Sequence, residues 1–129
     1  MNTPSKSGEL AGRVLLSSLF LVSGLSKLGA YAGTQAYMAS ASVPGALLPL
    51  VLLTEIGGGL AILLGLQTRI VAILLAGFSI VTALLFHTGH DPIQQIMLLK
   101  NFTIAGGLLL LTVHGAGPLS LDGRRAAQA

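Results

Sequence analysis

The chain has 129 residues, 53% of them hydrophobic and only 9% charged, with a net charge of +3. An ordinary soluble domain carries roughly 25% charged residues, so these are too few to cover a globular surface in water, and the solvent that fits this sequence is lipid. The absence of cysteine excludes disulfides, iron–sulfur clusters and thiolate zinc sites, and the seven basic residues are too scattered to grip nucleic acid.

Residues 1–9 (MNTPSKSGE) are polar and read as a short disordered tail. The first span is expected over about 10–30, flanked by charge at both ends. Ala30-Tyr31-Ala32 imitates a signal-peptide cleavage site, but Lys27 stands where such a peptide turns from apolar to small residues, which favours an uncleaved helix. Residues 31–45 are too polar to span. Tyr31, Thr34, Tyr37, Met38 and Ala41 fall on one helical face there, which predicts a short interfacial helix broken at Pro44-Gly45.

The second and third spans are expected over about 46–66 and 70–88. The link Gln67-Thr68-Arg69 is short enough to force them antiparallel. HTGHDP (87–92) makes the next turn, and Pro92 is placed to start the fourth span, about 93–114. Gly115, Gly117 and Pro118 then stop the helix and open a tail over 115–129. The fold expected is all-α: one domain over 1–129, an integral membrane four-helix bundle. Its first partner is the lipid bilayer. Small residues at Gly57, Ala61 and Gly65, at Ala72 and Ala76, and at Ala105, Gly106 and Gly107 let helices approach closely, within one chain or in a homo-oligomer.

Lys6, Arg13, Arg69, Arg124 and Arg125 all fall on one side of this four-span arrangement, and Lys27 lies near the other. The positive-inside rule therefore predicts that both termini and the link between spans two and three are cytoplasmic.

A charge within hydrocarbon costs at least about 2.5 kcal/mol, so charged positions inside spans are informative. Glu55 lies roughly 14 Å from the outer end of span two, near the centre of a core about 30 Å thick. Span four runs the same way, and Lys100 and Asn101 lie roughly 10 to 12 Å deep, which makes Lys100 the expected partner of Glu55. On span one, Arg13, Ser17, Phe20, Gly24 and Lys27 share a face within about 40°. Arg13 and Lys27 are each about one turn inside a boundary, where a side chain can also snorkel outward. The expected polar centre comprises Glu55, Lys100, Asn101, Arg13 and Lys27, with Ser17 and Ser23 nearby and His87 at its outer mouth.

Two readings of this centre stay open on the residues alone. Its charges can bind or move something, or they can form a structural pair that fixes which helices meet. Metal is not the expected occupant, since the histidines of HTGHDP lack a fourth ligand in view. Haem is not expected either, since paired axial ligands need two histidines at one depth and His87 and His114 lie at opposite ends of the bundle. A quinone headgroup needs donors for two carbonyls and an acid or base to move protons, inside an apolar cleft. Glu55, Lys100, Asn101 and His87 supply those groups in type. If the charges move something instead of binding it, the centre is a small-solute or proton pathway.

The chain as a whole resembles the DoxX family of membrane proteins. The resemblance is carried by Arg13 with LFLVSGLSKL (19–28), QAYMASASVP (35–44), TEIGGGLAILLGLQTR (54–69), the outer His87, KNFTIAGGLLLL (100–111) and GAGPLSLD (115–122). It implies four transmembrane helices in a bacterial inner membrane. The family takes its name from a subunit associated with an archaeal thiosulfate:quinone oxidoreductase, and other members are linked to oxidative-stress complexes. That implies an accessory membrane component of a redox or stress-response system, with a redox partner protein, more than an independent enzyme. Arg13, Lys27, Glu55, Arg69, His87, Lys100, Asn101 and Asp122 occupy the family's recurrent polar positions. Among them, Asp122 is expected to fold back and either cap a helix or pair with Arg69.

Overall fold

The computed structural model describes residues 3–128. Met1, Asn2 and Ala129, which belong to the expected tails, lie outside them. Four helices are long and apolar enough to cross a bilayer: the first belongs to Thr3–Gly29, and the others are Gly45–Leu64, Thr68–Phe86 and Pro92–His114. Their boundaries follow the expected spans except at the N-terminus, where the helix begins at Thr3 rather than near residue 10. Pro4 falls in the first turn, where a missing N–H is tolerated, and no later breaker interrupts the helix before Gly29. The segment read as a disordered tail is therefore mostly a helical extension. A short helix, Tyr31–Ser40, follows span one. Another, Leu121–Gln128, occupies most of the C-terminal tail.

Span one packs along span two, and spans three and four pack along each other. All four contribute to one core, in which Phe20, Ile62, Leu75 and Leu108 are buried. A second cluster joins Met38 of the short helix to Leu48 and Leu52 at the start of span two, with Phe86 packed against it. The outward surface is apolar. Leu15, Leu53, Leu74 and Ile93 are well exposed, as suits helices solvated by lipid chains rather than water.

The face carrying both chain ends is closed by polar side chains that satisfy helix termini. Span two ends in a Schellman arrangement: the Leu66 N–H donates to the Ala61 carbonyl at 2.8 Å and the Gly65 N–H to the Ile62 carbonyl at 3.1 Å, with Gly65 at φ 69°. Arg13 reaches the same terminus. Its guanidinium donates to the carbonyls of Ile62 at 3.1 Å and Leu63 at 2.9 Å, and also to that of Leu119 in the C-terminal segment. Asp122 accepts from the N–H groups of Gln67 at 2.9 Å and Thr68 at 2.8 Å, capping the start of span three, while its own N–H donates to Gly65. Arg69 donates to the Val113 carbonyl at 2.8 Å, at the end of span four.

Acid at a helix N-terminus and base at a C-terminus is the favourable arrangement for the helix dipole. Of the two arrangements expected for Asp122, the structure adopts the cap. Asp122 and Arg69 are not joined as a pair, because adjacent helix ends offer each of them backbone partners. Burial raises the Asp122 carboxyl, but hydrogen bonds from Thr68 and from the Gln67 N–H, with the nearby Arg125 charge, more than offset this and hold it below its ordinary value.

Candidate functional site

Glu55 lies in a π-helical turn, Leu53–Gly57, set between two α-helical segments of span two. Such a turn adds one residue to the ring and re-aims the side chains beside it. Three consecutive glycines, Gly57 to Gly59, make this stretch of helix easy to deform. Span one comes closest at Gly24, where an added Cβ would sit 2.6 Å from Ile56 Cγ1 and 3.4 Å from Glu55 Cβ. Only a residue without a side chain allows that approach.

Glu55 is 4% exposed, and its Oε1 accepts a hydrogen bond from Lys27 Nζ at 2.6 Å. The same ammonium donates to Ser23 Oγ at 2.7 Å. Side chains on a helix lean toward its N-terminus, so Lys27 points back along span one toward Ser23, into the bundle, and does not snorkel outward. Span two runs the opposite way, and Glu55 leans to meet it. The expected pairing of Glu55 with Lys100 is thus replaced by Glu55 with Lys27. Depth along parallel helices does not say which way a side chain faces, and the π turn shifts Glu55 off the phase of a regular helix.

Lys100 nevertheless shares the space. A cavity of about 590 Å³, within the range of small-molecule sites, is lined by residues from all four spans and the short helix. Lys27, Glu55, His87, Lys100 and Asn101 all line it, as does Ser23. Asn101 Nδ2 donates to the Ser79 carbonyl at 3.1 Å, which fixes its amide against span three. His87 Nδ1 lies 3.0 Å from Gln94 Oε1. Lys100 has no hydrogen-bond or ion-pair partner among the described residues.

Most of the wall is apolar. Tyr37 stacks on Phe86 with ring centroids 5.3 Å apart, and both line the cavity together with Met38. The face shared by Thr34, Tyr37 and Met38 was legible as a helical stripe, but it turns toward this cavity and not only toward an interface. Thr54, Thr82 and Phe86 were not singled out from the sequence. A hydroxyl bonded to its own helix, as in Thr82 to Phe78 at 2.9 Å, leaves no pattern that marks it.

Arg13 is not part of this centre. It is buried at the face carrying the chain ends, as described above, although its stripe is as expected: Ser17, Phe20 and Gly24 are buried with it. Ser17 Oγ donates to the Val14 carbonyl at 3.0 Å. Arg69 and Asp122 lie at that same face. In HTGHDP, Asp91 accepts from the Gln94 N–H at 2.9 Å and caps span four, while His90 is exposed.

A model of the DoxX family matches residues 8–88. The chain is 49% identical over 116 residues to inner membrane protein YqjF of Escherichia coli (strain K12), a match covering 89% of each chain. To inner membrane protein YphA of the same organism it is 32% identical over 123 residues, 89% of this chain and 88% of YphA. A protein named "Putative oxidoreductase CatD" from Bacillus subtilis (strain 168) is 36% identical over 76 residues, 59% of this chain and 57% of its own. No solved structure matches the chain.

Proposed function

The chain belongs to the DoxX family of inner-membrane proteins, and from that premise we propose that it is a small-molecule-binding component of a membrane redox or stress-response system. Its ligand is a quinone or another small amphipathic molecule, held in the cavity between the spans. The observation that carries this reading is the Lys27–Glu55 pair opening onto a mostly apolar cavity that also contains an unpaired lysine. A pair serving packing alone has no need of that space or of Lys100. The apolar walls suit a ring and its chain, Lys100 can donate to a ring oxygen, and the Lys27–Glu55 pair can hold or pass a proton. The oxidoreductase name of CatD points in the same direction. With no cysteine in the chain, electrons would have to come from a bound cofactor or a partner.

The membrane orientation belongs to the same proposal: the face closed by Arg13, Arg69 and Asp122 is cytoplasmic, and the cavity opens toward the other side. The test of ligand binding is native mass spectrometry of protein extracted gently from its own membranes. A quinone or related molecule should travel with the wild-type protein and be lost from Thr82→Trp, which fills the cavity. A protein that is always bare, or a ligand retained unchanged by that variant, contradicts the proposal.

A further inference from the structure

Resting on the reading that the cavity binds a small amphipathic molecule, we infer that its ligand carries one negative charge, on a ring or carboxyl oxygen, and that Lys100 recognises that charge. The chain has four acidic residues. Glu55 is taken by Lys27. Asp91 caps span four through the Gln94 N–H, and Asp122 caps span three through Gln67 and Thr68. Glu9 lies against Gly117, at the face carrying the chain ends. None is left for Lys100. The acidic and basic side chains lining the cavity are then Lys27, Glu55 and Lys100, two bases to one acid, with His87 also in the wall.

A lysine ammonium eight residues into a membrane span is expensive unless something answers its charge. Span four starts on the same side as span two, so Lys100 and Glu55 both lean that way, while Lys27 leans to meet Glu55 from the opposing helix. Lys27, Glu55 and Lys100 all line the cavity, Lys100 as an exposed residue, and the rest of its wall is mostly apolar. A ligand with a single ionised oxygen beside Lys100 would neutralise the site and place its apolar body against the other lining residues, among them Phe20, Leu50, Met97 and the Tyr37–Phe86 stack. An ionised ring hydroxyl and a carboxylate share this chemistry. A neutral headgroup would leave Lys100 unanswered.

The test uses the full chain in nanodiscs of zwitterionic lipid, titrated calorimetrically near neutral pH against empty nanodiscs. One arm compares an alkylated 2-hydroxy-1,4-naphthoquinone, ionised under these conditions, with its neutral 2-methoxy ether. The second compares dodecanoate with its methyl ester. The anion of at least one pair should bind roughly tenfold or more tighter than its neutral partner, which also identifies the headgroup. That preference should collapse in Lys100→Gln and persist in Lys100→Arg, while the neutral compound binds both variants alike and so reports an intact cavity. Equal binding of anion and neutral analogue by the wild type overturns the inference but leaves the cavity reading standing. A preference that survives Lys100→Gln overturns the role of Lys100. Failure of all four compounds to bind removes the cavity reading itself.

Discussion

Lys27 and Glu55, 28 positions apart, meet at 2.6 Å across the interface between spans one and two. Glu55 is almost fully buried, whereas the Lys27 side chain keeps 28% of its surface accessible, so losing the two partners has unequal effects. Lys27→Ala leaves a buried carboxylate unanswered and should destabilise the protein by about 2 kcal/mol, discounted from the larger cost of a fully buried pair because Lys27 is partly exposed. Adding Glu55→Leu should recover most of that loss, since an apolar replacement of the whole pair is tolerated. Thermal unfolding in detergent, arranged as a double-mutant cycle, measures it. Additive losses would mean that the two side chains do not act as a pair.

Arg13 serves three carbonyls with one planar group, two at the end of span two and one in the C-terminal segment. Lysine has a single point of attachment, so Arg13→Lys should cost about 2 kcal/mol despite keeping the charge. It should also loosen the segment that leads to Arg124 and Arg125. Limited trypsin digestion is the readout, and cleavage there should be faster in the variant while the spans stay intact. Identical digestion rates would show that Leu119 is held by other contacts.

Asp122 links pH to the same closure. Its folded pKa lies below its unfolded value, so the stability it adds is present above about pH 4 and is lost as the pH falls through the lower, folded value. Asp122→Ala should lower stability by about 1 kcal/mol near neutrality, a figure kept small because the carboxylate is partly solvated. The gap in unfolding temperature between wild type and variant should close in acid. A gap that stays constant with pH would separate the loss from the carboxylate charge.

The spans and their order were legible because long apolar runs bounded by Gly65, Pro92 and Gly115 admit few other arrangements in lipid. The membership of the polar centre was largely legible too, through the depth of Glu55, Lys100 and Asn101. What depth could not supply was direction. Lys27 looked able to snorkel outward, yet the lean of helical side chains turns it inward, and the π turn at Leu53–Gly57 breaks the regular phase on which azimuth depends. Arg13 shared a stripe with Lys27 but sits near the other end of the same helix, where unpaired carbonyls claimed it. The docking of GAGPLSLD onto that end depends on contacts more than fifty residues away in sequence, which no local pattern encodes.

Orientation can be measured cleanly because the chain has no cysteine of its own. A single cysteine placed at Thr88, beyond the end of span three, should react with a membrane-impermeant maleimide from the periplasmic side of intact cells. One placed at Gln128 should react only after the membrane is opened. The reverse pattern would invert the topology proposed from the basic residues.

Photolabelling with an azido-quinone, mapped by peptide mass spectrometry, tests most directly whether the space beside Lys27 and Glu55 holds a ligand. Label should concentrate in the peptides bearing Ser23 to Lys27 and Phe78 to His87, and excess unlabelled quinone should abolish it. Label spread over the lipid-facing positions, such as Leu15, Leu74 and Ile93, and insensitive to competition, would contradict the account.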